Sequence, residues 1–263
     1  MNIGILSYNR RTKLSSRKIA KNERLLVDAA KARGHKARVF RADKCELVYT
    51  KGGMKLLYGD KPFPKLDVII SRPSVLGNLD IELTLNKHIL LMGYKLVNGY
   101  MPILRAKNKI RTIQIMSHKG IPIPDTVVLR RLEYVDAAVK RVGGYPVIIK
   151  TPVGSFGTGV VLVESRRSLL SSLDILFTQY HWNILLIQQY IHEAQGKDVR
   201  VFVVNGKVVA AIERTSAEGD FRSNLHAGGS GVSTELTQVE IEISIKAAEV
   251  LGLEIAGVDL LRT

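Results

Sequence analysis

Along the chain, apolar residues recur in two rhythms: short β-branched runs and longer stretches with helical spacing. Residues 3–7 predict a first strand. Residues 18–33 predict a helix with Ile19, Leu25, Leu26, Ala29 and Ala30 on one face, stopped by Gly34. Residues 36–41 return as a strand, 56–64 as a short hairpin or loop, and 66–71 as a buried strand ending at Arg72-Pro73. A helix over 80–92 and a strand over 95–98 close this unit. Strands and helices alternating through parallel crossovers make a doubly wound α/β layout. Ligands in such sheets sit beyond the carboxyl ends of the strands, which singles out Ser7, Arg72 and Asn98 on topology.

A second unit begins near Tyr100. It predicts a helix over 109–118, a strand over 126–129, a helix over 134–142 closed by Gly143-Gly144, a helix over 166–177 and a strand over 184–188. From Gln188 the pattern changes to antiparallel. Residues 198–204 and 207–213 flank Asn205-Gly206, the strongest hairpin signal in the chain. A polar loop and Gly228-Gly-Ser-Gly231 follow. An amphipathic helix over 237–251 then starts from Thr237 as N-cap, with Glu240 three residues on. The last strand, 255–261, carries Asp259 in an otherwise apolar run.

Between the runs 145–150 and 160–163 lies Lys150-Thr-Pro-Val-Gly154-Ser155-Phe-Gly157-Thr-Gly159. Strand, glycine loop and strand form a hairpin. A P-loop or a dinucleotide fingerprint needs a helix after its glycines, so both are excluded. Glycines at the tip let backbone N–H groups approach an anion closely, and Lys150 adds a positive charge at the base. A plain hairpin whose glycines only serve the turn fits the same residues.

Composition adds charge asymmetry to this picture. Of the net +15, residues 1–120 hold 25 Lys and Arg against 8 Asp and Glu, and residues 121–263 hold 14 against 16. That excess suits a polyanionic partner, or simply a solvated lysine-rich surface. No apolar run reaches the ~20 residues of a membrane span, and the first residues lack the features of a signal peptide. Cys45 is the lone cysteine, which suits a reducing cytoplasm and a small buried hydrophobe better than a catalytic thiol.

Taken together, the glycine loop, the hairpin 198–213, Gly219-Asp-Phe-Arg222-Ser223-Asn224-Leu-His226 and Ala256-Gly-Val-Asp259-Leu-Leu261 resemble the ATP-grasp ligases, and among them the RimK-type glutamate ligases. The resemblance implies a pre-ATP-grasp domain over 1–99. An ATP-grasp lid over 100–187 and an incomplete C-terminal subdomain over 188–263 would follow. It implies ATP with Mg²⁺ or Mn²⁺ as cofactors. Lys109 and Lys150 would meet the α- and β-phosphates, with Gly154, Ser155, Gly157 and Gly159 forming the loop over them. Gln189-Tyr190-Ile191 would be the adenine hinge, where the family usually has Glu-Tyr-Ile. Asp198 would hold the ribose. Arg222, Ser223 and Asn224 would sit at the transferring phosphate and the acyl phosphate, and Arg214 would bind a carboxylate. The family often has a second arginine where this chain has Thr215. Asp259 would be a metal ligand, since a carboxylate inside an apolar strand is costly to bury unpaired. Ion pairs are the plainer alternatives: Asp259 with Arg222 or Arg262, Asp198 with Arg200, and Arg222 with Asp220.

The activity so implied joins glutamate, or a similar amino acid, to an acceptor carboxyl through an acyl phosphate. The basic first half fits an acidic acceptor, such as a ribosomal protein C-terminus; a carrier protein or a folate-like cofactor are the related cases. A homo-oligomer is compatible with the family, and no membrane partner is implied. The family continues past the position of Asp259 into a Glu-x-Asn strand with further metal ligands, whereas this chain stops at Thr263. The expectation is a fragment of a longer product that binds nucleotide weakly, with little Mg²⁺ dependence and no ligation; Mg²⁺-dependent ligation by these residues alone would instead make Glu213 the acid that completes the metal site. The competing expectation is a non-catalytic nucleotide-binding or ribosome-associated module.

Overall fold

A computed structural model describes residues 1–8, 20–73, 79–154, 159–180, 184–217 and 229–263. The chain divides into two compact units, Met1–Leu104 and Arg105–Thr263.

The first unit holds a four-stranded parallel sheet and a three-stranded antiparallel one. The parallel sheet uses β1 (Asn2–Ser7), β2 (Lys36–Arg41), β6 (Val68–Arg72) and β7 (Leu96–Val97) in the order β2-β1-β6-β7. The central β1 is buried from Ile3 to Ser7, as a strand covered on both faces must be. Helix α1 (Lys21–Ala32) connects β1 to β2. Gly4 has Leu66 against it; a Cβ there would come within 2.6 Å of Leu66 Cδ1. The sequence pattern misses β3 (Cys45–Thr50), which pairs with β4 (Gly53–Tyr58) and, through it, β5 (Lys61–Pro62). The signal was the turn Thr50-Lys51-Gly52-Gly53, where Gly53 takes φ +101. The Cys45 thiol packs against the core of this unit, and burial, then the Asp43 charge, pushes it up to about 12. A thiol so held is no nucleophile at neutral pH.

The single helix expected over 80–92 is two: α2 (Leu79–Glu82) and α3 (Thr84–Leu91). The reason lies in their partners. Leu79 and Leu83 pack with Ile103 and Leu104, whereas Leu85 and Ile89 face the cluster of Leu6, Phe40 and Ile69. One straight helix cannot serve both clusters. Helix α4 (Tyr100–Ala106), also not anticipated, carries Pro102 in its first turn, where a missing N–H costs nothing.

In the second unit, α5 (Lys109–His118) begins with the Asn108 side chain accepting from the N–H groups of Ile110 and Arg111. An antiparallel sheet follows in the order β10-β9-β11-β8, from β8 (Thr126–Leu129), β9 (Val147–Lys150), β10 (Val160–Val163) and β11 (Leu185–Gln189). Helices α6 (Val135–Arg141) and α7 (Arg166–Tyr180) cover one face, burying Val147, Ile149, Leu185 and Ile187 with Leu169 and Leu173. The alternate residues, Ile148, Lys150, Leu186 and Gln188, therefore occupy the other face.

The second sheet runs β14-β13-β12-β15, from β12 (Lys197–Val204), β13 (Lys207–Thr215), β14 (Ser230–Ser233) and β15 (Ile255–Leu260). Asn205 (φ +48) and Gly206 (φ +71) form the two-residue turn that their sequence implies. A bulge follows, because Phe202 pairs with Ala210 but Val203 with Val208. Helix α8 (Gln238–Leu251) is capped by Thr237 and Glu240 reciprocally and ends at Gly252, φ +76. Val199, Val201 and Val203 share a core with Ala248 of α8, so Asp198, Arg200 and Phe202 line the opposite face. The sequence did not suggest β14; its Ser-Gly-Val-Ser residues are all exposed and carry no apolar period.

Among the described residues, no helix is long and apolar enough to cross a membrane.

Candidate active site

Lys150 ends β9 on the face away from α6 and α7. Its Nζ donates to Gln188 Oε1 at 2.5 Å, while Gln188 Nε2 donates to Thr126 Oγ1 at 2.8 Å and Thr126 in turn to Pro124 O at 2.7 Å. This chain of bonds crosses three adjacent strands and fixes which way the Gln188 amide points.

Lys109, the first residue of α5, reaches the same loop base. Its backbone N–H donates to Pro152 O at 2.8 Å and its Nζ to Thr151 O at 3.1 Å. Burial, with Lys150 second, brings Lys109 down from 10.5 to about 8. Lys150 is lowered by burial as well, opposed by the charge of Asp259. Among the described residues neither lysine has an ion-pair partner. Two partly desolvated cations with no acid in direct contact form a site that gains from an anion, so these residues fit the phosphates of a nucleotide.

Gly159 closes the loop. Its carbonyl accepts from Thr151 N–H at 2.9 Å, and at φ +72 a Cβ would fall 2.3 Å from Thr151 Oγ1. Gly154 stands at the described end of the loop; Ser155 and Gly157 lie outside the described residues.

Gln189-Tyr190-Ile191 follows directly from β11. Gln189 N–H donates to Asp125 O at 2.8 Å and its Oε1 accepts from Asp125 N–H at 3.3 Å, so the residue is pinned at both ends. The Tyr190 ring meets His192 edge-on, centroids 4.8 Å apart.

On the second sheet four charged residues share the face opposite α8. Asp198 pairs in register with Arg214, and Arg200 with Asp259. Arg214 donates through Nε to Asp198 Oδ1 at 2.7 Å and through Nη2 to Asp198 Oδ2. The same Nη2 lies 3.0 Å from Asp259 Oδ1. Arg200 grips Asp259 with both prongs, Nε to Oδ1 and Nη2 to Oδ2, each 2.7 Å. Of the ion-pair alternatives, Asp198 takes Arg214 and not Arg200, and Asp259 takes Arg200 and Arg214 with Arg262 elsewhere; Asp220 and Arg222 lie outside the described residues. Cross-strand neighbours lie closer than residues two apart on one strand, which is why register prevails over sequence proximity.

Arg262 bonds instead to Glu240, Nε to Oε1 at 2.7 Å, and to Glu213 at 3.3 Å. Glu213 also pairs with Lys197 at 3.4 Å. Glu213 stands opposite Val199, on the α8 side of the sheet. It cannot serve as a reserve ligand beside Asp259. A cavity of about 230 Å³ lined by Glu193, Gln195, Lys197, Glu213 and Arg262 also touches Asp198, the single residue of the charged quartet that it reaches.

Among the described residues no group of three or more His, Cys, Asp or Glu could hold a metal ion. Asp259 offers one carboxylate, and both its oxygens are taken by guanidinium. As arranged, these residues do not fit Mg²⁺, which asks for one or two free carboxylates besides phosphates. Arg222, Ser223 and Asn224 lie outside the described residues. Sequence reasoning overlooked Gln188, Thr151 and Thr126, and gave Arg200 only a surface role. Alternation marks Gln188 as polar on an otherwise apolar strand, a signal that was available.

Lys150 on one antiparallel sheet with Lys109 of α5 beside it, followed by a second antiparallel sheet, agrees with the arrangement that the ATP-grasp resemblance implies. The solved structures agree on the fold. A RimK domain ATP-grasp protein from Sphaerobacter thermophilus superposes with a TM-score of 0.76 at 20% identity, covering 100% of this chain and 87% of its own. A D-alanine–D-alanine ligase from Bacillus anthracis, complexed with ATP, gives 0.65 at 16% identity, covering 100% and 82%. The sequence matches the RimK-like ATP-grasp domain over residues 106–263 and the RimK pre-ATP-grasp domain over residues 1–80. The chain belongs to the RimK-like ATP-grasp family. Two relatives named as probable alpha-L-glutamate ligases, from Marinomonas sp. (strain MWYL1) and Maridesulfovibrio salexigens, are 38% and 36% identical over 264 residues. Both alignments cover 100% of this chain and 84% of the relative. It is therefore an ATP-dependent ligase of the kind that forms C–N bonds.

Proposed function

We propose that this ligase adds glutamate, or a closely similar amino acid, to a carboxyl group of an acidic acceptor. The observation that supports ATP use is the convergence of Lys109 and Lys150 on the base of the glycine loop, with no acid in ion-pair contact among the described residues; the choice of glutamate rests on the relatives named as probable alpha-L-glutamate ligases. Phosphoryl transfer is mainly a matter of positioning and charge stabilisation, which two such cations supply. In this reading residues 100–187 are the lid and residues 188–263 the platform, with residues 1–99 preceding them. The hinge 189–191 takes the adenine. Ribose hydroxyls donate to Asp198, whose oxygens keep lone pairs beyond those used by Arg214. Arg214 receives a substrate carboxylate through Nη1, which has no hydrogen-bond acceptor among the described residues. Arg222, Ser223 and Asn224, outside the described residues, are the groups that the resemblance assigns to the transferring phosphate and the acyl phosphate. ATP use implies a divalent cation, Mg²⁺ or Mn²⁺; Asp259, the acid that the resemblance assigns to it, is engaged by Arg200 and Arg214.

Chemically, the acceptor carboxylate attacks the γ-phosphorus, ADP leaves, and an acyl phosphate forms. The amine of the amino acid then attacks the acyl carbon, expelling phosphate and losing a proton as the amide forms. The basic residues of 1–120 favour an acidic acceptor such as a ribosomal protein C-terminus, a carrier protein or a folate-like cofactor. The test is ADP release that requires amino acid and acceptor together, with the amide product identified by mass. Lys150→Ala removes a cation from the phosphate site and should cost about 2–4 kcal/mol of transition-state stabilisation with the fold retained. A variant that turns over at the parental rate would falsify the assignment.

A further inference from the structure

β2 is an edge strand. The parallel sheet runs β2-β1-β6-β7, so β1 pairs with one side of β2 and no described strand with the other. Successive residues of a strand turn their backbone groups to opposite sides. The Lys36 N–H donates to Met1 O at 2.9 Å, so Lys36, Arg38 and Phe40 serve β1, while Ala37, Val39 and Arg41 face outward. At Arg41 the outer side is closed: its N–H donates to Tyr58 Oη at 3.3 Å and its carbonyl accepts from Cys45 Sγ at 3.5 Å. Ala37 and Val39 each keep an outward N–H and C=O that no described residue meets.

The side chains along this edge are cationic. Residues 29–42 hold Lys31, Arg33, Lys36, Arg38 and Arg41, with no Asp or Glu among them. Asp43 takes up Arg41, whereas Lys31, Arg33, Lys36 and Arg38 are exposed and form no ion pair among the described residues. Lys36 and Arg38 leave the strand on the same face, roughly 7 Å apart along it. Such a row repels a second copy of itself and attracts acid, so the charges that guard the edge also select what can pair with it. The Arg38 guanidinium covers the Phe40 ring at 4.6 Å, and Phe40 is 1% exposed, so this edge offers no aromatic face to a nucleic-acid base. β14 is also an outer strand, but its Ser-Gly-Val-Ser carries no charge.

We propose that β2 docks an acidic, extended polypeptide segment by strand addition. That this segment belongs to the acceptor rests on the acidic acceptor proposed above. The outward N–H and C=O groups of Ala37 and Val39 pair with the backbone of the incoming strand, and acidic side chains at its alternate positions lie beside Lys36 and Arg38. Lys31 in the last turn of α1, with Arg33 after it, extends the positive field past the start of β2.

The test titrates a fluorescein-labelled peptide of alternating Glu and Thr into the full 263-residue chain and follows anisotropy. Lys36→Glu with Arg38→Glu should weaken binding on the order of tenfold or more. Lys36→Gln with Arg38→Gln gives the same comparison, at smaller effect, should the reversed pair lose its far-UV dichroism. Two N-methylated forms of the peptide, blocked at odd or at even residues, test the pairing itself. Only one set of its N–H groups faces β2, so one form should bind several-fold more weakly than the other. Charge variants that bind like the parent overturn the docking edge, and methylated forms that bind alike overturn strand addition. Oligouridylate that binds the parent more tightly than the peptide does, and is lost in the charge variants, overturns the choice of a polypeptide. Kinetics separate the two readings. If an acidic acceptor is ligated with a KM unmoved by the charge variants, the edge falls and the acceptor reading stands. If no acidic acceptor is ligated while the peptide still binds at β2, the acceptor reading alone falls.

Discussion

Arg214 and Asp198 face each other across β12 and β13 in a two-point ion pair that is almost out of water, with Nε to Oδ1 at 2.7 Å. Two charges held this way are interdependent: each compensates the desolvation of the other. Truncating Arg214 to Met should therefore cost about 3–5 kcal/mol, because Asp198 stays buried and loses its partner. Arg214→Met with Asp198→Asn should be less damaging than Arg214→Met alone. Urea unfolding of the two variants and the parent measures this. A loss below 1 kcal/mol for Arg214→Met would show that water reaches the pair.

Lys109 gives a pH dependence with two opposite signs. Burial, assisted by Lys150, lowers it from 10.5 to about 8, so between those values the folded chain binds fewer protons than the unfolded one. Stability from this group is present above pH 10.5 and lost as pH falls through about 8. Unliganded protein should thus gain stability from Lys109 as pH rises through that window. Nucleotide affinity should move the other way, weakening as Lys109 loses its charge. Lys109→Met should flatten both trends. Thermal melts and nucleotide titrations at matched pH decide it, and trends that persist unchanged in the variant would remove Lys109 from the site.

The uneven charge of the chain sets a third expectation. Screening reaches across about 8 Å at physiological ionic strength, so contacts between exposed charges weaken with salt while enclosed ones persist. If the basic residues of 1–120 recruit an acidic acceptor, raising NaCl should increase KM for the acceptor several-fold more than KM for ATP. Equal effects on both would leave the excess charge as a solubility feature.

How legible all this was in the sequence depended on whether the signal was local. The Asn205-Gly206 hairpin, the Thr237–Glu240 capping box and the run ending at Lys150 are local, and the structure shows each of them where the residues put it. Pairing partners are not local. Asp198 stands two residues from Arg200 in the chain and sixteen from Arg214, yet the strand register joins it to the latter. The break between α2 and α3 was hidden for a related reason. Leu79 to Leu91 keeps a continuous helical period, and the two hydrophobic clusters that divide it come from distant segments. β14 offered nothing to read, since Ser-Gly-Val-Ser is exposed throughout and depends on β13 for its hydrogen bonds.

Gly159 and Thr151 meet where the loop joins β9, the Thr151 N–H donating to Gly159 O at 2.9 Å. Gly159 needs its residue type twice over. Its φ of +72 belongs to the left-handed region, which costs an L-residue roughly 1–2 kcal/mol. A Cβ would also stand 2.3 Å from Thr151 Oγ1 and 2.9 Å from Thr151 Cγ2, and Thr151 cannot rotate away without giving up its bond to Val153 O at 2.8 Å. Gly159→Ala should therefore lower stability and weaken nucleotide binding together, because the Thr151 carbonyl that holds Lys109 Nζ moves with its residue. Adding Thr151→Ala removes both clashing atoms and leaves only its Cβ, 3.1 Å from the new methyl. The double variant should recover the steric part of the loss and keep the backbone part, about 1–2 kcal/mol. A double-mutant cycle by chemical denaturation reads the coupling directly. Strict additivity would mean that the two residues do not touch in solution and that the loop base is built some other way.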